Sequence, residues 1–399
     1  MRPKPSAGSR ALVIQLARLG DLIQTLPLLH ALRHHRPDTT LDLLCAAPLA
    51  DFIQARFPVE GVVPWDGGRC RVWADEWSGD PVGAVQGLQG YIEGLSAEPY
   101  DDVYNVNQHE RAILTAHLLG RRVTGAGATG PLSTELGSWG DYLRQVAIRR
   151  GRNRVHLADA WCGLCGVRPR GCDLSLRRGT DALPPDLQAV GRDRGHWAAV
   201  VVGAGDGERC IPPPVWTAWV ERFLSLQSEA RVVLVGAGYE REAAHAIQSS
   251  LPSVLLGRVW DATGRTTVTQ LVEILARSAW VIGADTGPLH VGTAVGSRVI
   301  GFYFARARVH ETGPYGKGHW VFQHEGGCTP QAWPIQSSIN LILNGSASSE
   351  TEWELWNSGV DEWGAYFARP DGSDHGAAQR ETVWTELSPA LAAECNEHV

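Results

Sequence analysis

The stretch VIGADTGPLHVGTAVGSRVIGFY, from Val281 to Tyr303, constrains the fold more than any other part of the chain. An apolar strand from Trp280 to Ile282 runs into Gly283 and then into the polar cluster Asp285, Thr286, Gly287, Pro288 and His290. A small-residue helix follows, and a second apolar strand covers Val299 to Phe302. A strand that turns directly into a helix points backbone N–H groups over the strand's carboxyl end. Open α/β sheets bind ligands there, and a helix N-terminus favours an anionic one. Pro288 fits the first helical turn, where its missing N–H costs nothing. The plainer alternative is a βαβ crossover with Asp285 as an N-cap. His290 at such a turn either donates a hydrogen bond to a ligand or caps neighbouring carbonyls.

The same alternation extends both ways. In the first half, a strand from Ala11 to Leu16 leads through Ala17-Arg18-Leu19-Gly20-Asp21 to an amphipathic helix from Leu22 to about His35. Pro27 kinks that helix or delays its start, and Pro37 stops it. Strands at Thr40–Cys45 and Tyr100–Val106 and a helix at Ala112–Leu119 follow. Residues 64–96, rich in Gly and Trp, read as an excursion from the core. A polar stretch over 170–195, with Arg177-Arg178-Gly179 and Pro184-Pro185, reads as a linker. Beyond it come a strand at Trp197–Val202, the loop Gly203-Ala204-Gly205-Asp206-Gly207 and a helix at Val215–Leu226. A strand at Arg231–Val235 and helices at Tyr239–Gln248 and Val268–Arg277 then lead into the stretch described first. Strands alternating with helices of this length imply parallel, doubly wound sheets. The expected architecture is two α/β domains facing a cleft, residues 1–178 and 179–345. A C-terminal extension of open role, 346–399, carries Trp353, Trp356, Trp363, Tyr366, Phe367 and Trp384. Those rings either pack over the surface or form an aromatic face for a sugar or a partner protein.

Composition narrows the class. The 399 residues are 44% hydrophobic and carry a formal charge of −7, which gives no support to nucleic-acid binding. No apolar run reaches the ~18 residues of a membrane span. Arg18 and Asp21 interrupt the first apolar segment as a signal-peptide core would not allow. The reading is a cytoplasmic protein. Eight scattered cysteines suit a reducing compartment. Cys162-x-x-Cys165 with Cys172 nearby could hold zinc, but no second pair follows, and buried thiols are the plainer alternative.

Two further turns could carry chemistry. Asp21, just past the first strand, is placed to take a proton from a hydroxyl or to cap the following helix. The loop Gly203–Gly207 with Arg209 behind it could cradle a phosphate or be a structural turn. It is not a Walker A loop, and Gly236-x-Gly238 lacks the third glycine of a dinucleotide fingerprint. No Gly-x-Ser-x-Gly elbow supports a serine hydrolase.

Taken together, LVIQLARLGDLIQTLPLLHALRHHRPD, GADTGPLHVGTAVGSRVIGFY and ETGPYGKGH resemble glycosyltransferase family 9, the ADP-heptose heptosyltransferases of lipopolysaccharide assembly. The similarity covers roughly residues 10–60 and 197–325. It implies a GT-B fold, two Rossmann-like domains with the nucleotide sugar held mainly by the second, and inverting transfer without a metal or other cofactor. Carried over residue by residue, Asp21 matches the general base. Asp285, Thr286, Gly287 and His290 match the donor-binding loop. Arg209 aligns with a diphosphate-contacting lysine, Gly205 lies in the preceding phosphate loop, and Glu240 falls at the nucleoside pocket. The implied partners are a nucleotide-sugar donor, ADP-heptose in the family, and a glycan or glycolipid acceptor; peripheral contact with the inner membrane is left open.

Two departures stand out. The family's Lys-Arg-Trp-Pro is Arg209-Cys210-Ile211-Pro212 here, and Arg differs from Lys in geometry. Gln15 stands where some members carry a basic residue. A nucleotide-sugar epimerase on the same fold would need a further acid–base pair, and none is evident. A non-catalytic nucleotide-sugar-binding scaffold would use the aromatic tail as its surface.

Overall fold

The computed structural model describes residues 8–391, except 77–78, 132, 134, 170–173, 178, 180, 192–193, 327–329, 348–351 and 374–375. The chain divides into two compact units, one of residues 1–152, 157–172 and 380–399, the other of 153–156 and 173–379.

The first unit is built on a five-stranded parallel sheet in the order β3-β2-β1-β4-β5. Its elements are β1 (Arg10–Ile14), α1 (Leu19–Gln24), α2 (Leu26–His35), β2 (Thr40–Ala46), α3 (Ala50–Arg56) and β3 (Gly61–Trp65). They continue with α4 (Gly67–Glu76), α5 (Pro81–Glu93), β4 (Asp102–Asn105), α6 (Glu110–Leu119), β5 (Val123–Gly125), α7 (Gly137–Ile148) and α8 (Leu157–Leu164). Strands in such a sheet are covered on both faces, which is why β1 reads as a continuous apolar run with Leu12, Val13 and Ile14 wholly buried. The expected helix over Leu22–His35 is two helices broken at Thr25, with Pro27 in the first turn of α2 where its ring is tolerated.

Residues 64–96 are not an excursion. Trp65 ends β3, α4 and α5 pair behind it, and Trp65, Cys70 and Ile92 belong to the core of the unit. The Trp65 ring meets Tyr91 edge-on at 5.4 Å. Sequence periodicity missed these helices because three glycines dilute the apolar stripe of α5.

The second unit carries eight strands in the order β13-β12-β11-β10-β9-β6-β7-β8. In chain order the elements are β6 (Trp197–Val201), α9 (Pro213–Leu226), β7 (Arg231–Val235), α10 (Arg241–Ser250), α11 (Ser253–Leu256), β8 (Val259–Asp261), α12 (Val268–Ala276) and β9 (Trp280–Ala284). They continue with α13 (Gly287–Ala294), β10 (Arg298–Tyr303), α14 (Val309–Thr312), β11 (Trp320–His324), α15 (Ile335–Asn344), β12 (Trp353–Asp361) and β13 (Gly364–Ala368). Strands β6 to β11 run parallel; β12 and β13 add an antiparallel hairpin at one edge.

The 346–399 region is therefore shared out. Its hairpin belongs to the second sheet, and most of α16 (Ala377–Leu387) belongs to the first unit, where Trp384 packs on Trp139 at 4.7 Å. Trp353, Trp356, Trp363, Phe367 and Trp384 are all buried. They are core residues, so they do not form the open aromatic face that a sugar or partner would need.

Candidate donor site in the second unit

The site forms at the carboxyl ends of β6, β7 and β9. After β9 the chain makes the turn Ala284-Asp285-Thr286 and enters α13. The N-cap is Thr286, not Asp285, and Thr286 gives no side-chain cap, with Oγ1 buried and lacking a hydrogen-bond partner among the described residues. The first turn of α13 thus receives no side-chain acceptor and keeps its attraction for an anion.

Asp285 turns inward instead. Arg209 Nη1 donates to Asp285 Oδ2 at 3.0 Å and to the Asp285 carbonyl at 2.8 Å. His290 Nε2 lies 3.4 Å from Asp285 Oδ1. Burial by itself would push the Asp285 carboxyl up, but the hydrogen bond and charge of His290 and the guanidinium of Arg209 outweigh it and hold the carboxyl below its usual range. Asp285 is an ionised anchor between the Arg209 guanidinium and the His290 ring. His290 is almost wholly buried, and its Nδ1 has no partner among the described residues.

Arg209 reaches this point because the loop after β6 is wound into a tight turn. Asp206 Oδ1 accepts from the Glu208 N–H at 3.2 Å, and the Arg209 N–H returns to the Asp206 carbonyl. Gly205 lies exposed in the same loop. Glu240 sits one strand away, its carboxylate accepting from the Ala237 N–H at 2.6 Å. A side chain at Gly203 would place its Cβ 2.1 Å from Glu240 Oε1, so the glycine opens the space that the carboxylate fills. Burial raises the Glu240 carboxyl, and the Ala237 bond offsets part of the rise.

A second layer supports Asp285, and the sequence did not single it out. Tyr303, at the end of β10, donates to the Thr312 carbonyl at 2.7 Å; burial first and the Asp285 charge next push its phenol well above its usual value. His156 Nε2 bonds the Gly313 carbonyl at 2.9 Å, and burial drives this imidazole down to about 4, so it is neutral. Tyr303 and Gly313 fall inside stretches quoted for their resemblance. His156 lies far off in sequence and had no local signal.

Asp21 belongs to the other unit. It is the third residue of α1, not its N-cap, and Oδ2 accepts from the Arg18 N–H at 3.3 Å while its carbonyl accepts from Thr25 Oγ1 at 2.8 Å. Unlike Asp285, it is half-buried. Gln15 is fully buried, and its Oε1 accepts from the Ala17 N–H and Asn107 Nδ2, which shapes the same turn. Among the described residues, no group of three His, Cys, Asp or Glu side chains is arranged to hold a metal. Cys162 and Cys165 are buried, while Cys172 lies outside the described residues. No described helix is long and apolar enough to cross a membrane.

Two α/β units built on parallel sheets, together with the similarities that follow, make this an α/β glycosyltransferase of the GT-B type. More particularly, residues 211–336 match the family described as Glycosyltransferase family 9 (heptosyltransferase). Lipopolysaccharide heptosyltransferase 1 of Escherichia coli K12 is 24% identical over 300 residues, spanning 72% of this chain and 85% of its own length. Among solved structures, E. coli heptosyltransferase WaaC with ADP matches 84% of this chain and all of its own at 19% identity, with a TM-score of 0.62. A glycosyl transferase family 9 structure from Veillonella parvula DSM 2008 matches 97% of this chain and 98% of its own at 17% identity, with a TM-score of 0.60. The likeness to both structures is one of fold.

Proposed function

We propose that this glycosyltransferase moves a heptose from an ADP-linked donor to a glycan hydroxyl in lipopolysaccharide core or related glycoconjugate assembly, with inversion and without a metal. The observation that carries this reading is the Arg209–Asp285–His290 cluster at the uncapped start of α13. The donor's diphosphate would lie over the first turn of α13, against the part of the Arg209 guanidinium not spent on Asp285. Charge building on the leaving diphosphate is met there by a fixed cation and helix dipole. Glu240 would take the ribose hydroxyls, since a half-buried carboxylate accepts hydrogen bonds from a diol. Asp21 would receive the acceptor hydroxyl's proton as that oxygen attacks the anomeric carbon. The bond to the diphosphate breaks on the opposite face, so configuration inverts. In this reading the enzyme works on the cytoplasmic side, with peripheral contact at the inner membrane if the acceptor is a glycolipid.

The test is product analysis. Purified enzyme given ADP-heptose and a core-glycan acceptor should release ADP in a one-to-one ratio with glycan extended by one sugar. Extension from a different nucleotide sugar, with ADP-heptose inert, would overturn the donor assignment. An ADP-sugar altered in stereochemistry with no acceptor consumed would overturn the transfer itself.

A further inference from the structure

The β12–β13 hairpin lies outside the residues that match the family, yet it packs directly behind the donor cluster. Phe367, buried on β13, presents its ring to three groups. The His156 and His310 rings lie 6.3 and 5.9 Å from it, the second edge-on. Gly313 lies so near that a Cβ there would come within 2.2 Å of Phe367 Cζ. Gly313 gives its carbonyl to His156, and the preceding residue, Thr312, gives its carbonyl to Tyr303. The Thr312 side chain also helps hold the Asp285 carboxyl low. The hairpin is itself fixed to the sheet: Trp356 pairs with Val321, Ser358 pairs with Phe367, and the His319 N–H donates to Ser358 Oγ at 3.0 Å.

We infer that this hairpin is part of the donor site, with Phe367 a positioning residue that seats the Thr312–Gly313 turn and so fixes where Asp285 holds Arg209 and His290. The mechanism is packing. A close-packed interior passes a displacement on rather than absorbing it. The Phe367 ring fills the place beside Gly313 that a shorter side chain would leave empty. With that support gone the turn gains room, Tyr303 and Thr312 lose their fixed spacing, and the anchor under Arg209 and His290 loosens. The aromatic tail thus has a role in function while offering no binding surface of its own.

The test is amide hydrogen exchange on the ligand-free full chain, comparing Phe367→Leu with wild type. Peptides over 285–291 and 309–315 should exchange roughly tenfold faster, with 268–276 unchanged. Val360→Ala, nearer the hairpin turn, removes buried apolar volume from β12 and should not accelerate 285–291. If Phe367→Leu does not give folded protein, Phe367→Met, closer in volume, is read in the same way. Unchanged exchange at 285–291 in a folded Phe367 variant would overturn the inference, as would equal acceleration in Val360→Ala. A second readout rests on the donor reading above: Phe367→Leu should weaken ADP binding by roughly tenfold, a 1.4 kcal/mol change, while Val360→Ala leaves it unaltered. Failure of the wild type to bind ADP would count against the donor reading, and the exchange data alone would then decide the role of the hairpin.

Discussion

Two carboxylates follow parallel strands in the two units, Asp285 directly after β9 and Asp21 in the first turn of α1, and their surroundings suit them to the opposite duties proposed above. Asp285, after β9, is buried and committed to Arg209 and His290. Asp21, in the first turn of α1, is half-buried, and its carboxylate accepts from the Arg18 N–H. A buried carboxylate held low by a guanidinium and an imidazole hydrogen bond is a poor base and suits the placing of other groups. A half-exposed carboxylate at a strand end is open to a substrate hydroxyl, as a general base must be. Position in an α/β fold marks both residues, and the neighbours are what support reading one as anchor and the other as base.

The sharpest way to break this contrast is to neutralise each carboxylate. Asp21→Asn should lower the transfer rate by about 10²–10⁴-fold while leaving nucleotide affinity near that of wild type, as general-base loss does. Steady-state rates beside calorimetric binding would show it, and near-normal turnover would remove Asp21 from the chemistry. Asp285→Ala should act the other way round. It leaves a half-buried arginine and the buried His290 without their shared acceptor, so unfolding free energy should fall by about 1–3 kcal/mol and nucleotide binding should fail with it. Urea denaturation would measure the fall. An equally stable variant would show that Asp285 anchors nothing.

Arg209→Lys sharpens the comparison further. The single ammonium cannot both bridge the Asp285 carboxylate and carbonyl and face a diphosphate, so affinity should drop roughly tenfold with stability little changed. Equal affinity in the lysine variant would mean that Arg209 acts only as a point charge.

The smallest effect concerns acid. Folding lowers the His156 pKa from its ordinary 6.5 to about 4, so the unfolded chain takes up a proton that the folded chain refuses. The stability this group contributes is complete above pH 6.5 and is lost as pH falls through the interval down to about 4. Asp285 titrates lower still, so its contribution persists over most of that interval and goes only in stronger acid. Denaturation midpoints between pH 7 and pH 5 should therefore fall less in His156→Gln than in wild type. An identical slope would place His156 in contact with water.

What the sequence disclosed follows the range of the interactions. The strand–turn–helix after β9 and the glycine loop before Arg209 were legible because each is a local solution to a local problem, a backbone turning at a strand end. The pairing of Arg209 with Asp285 was not legible, because it joins two turns through adjacent strands β6 and β9. His156 was less so, since only the packing of a four-residue segment against the second unit brings it to Gly313. The tail misled for a compositional reason. Trp353 and Phe367 alternate with Glu, Gly and Ala as an exposed aromatic face would, and the pairing of β12 with β11, a strand distant in sequence, and of β13 with β12 is what buries them. Residues 64–96 misled for the converse reason, their glycines hiding helices that tertiary packing of Trp65 and Ile92 secures.

The measurement that bears most directly on the assignment is calorimetric titration of the metal-free protein with ADP, UDP, GDP and CMP, repeated on Arg209→Ala. Selective binding of ADP, lost in Arg209→Ala, is the expected result. Preference for UDP or GDP, or ADP binding that survives without Arg209, would contradict the placement of an ADP-linked donor over α13.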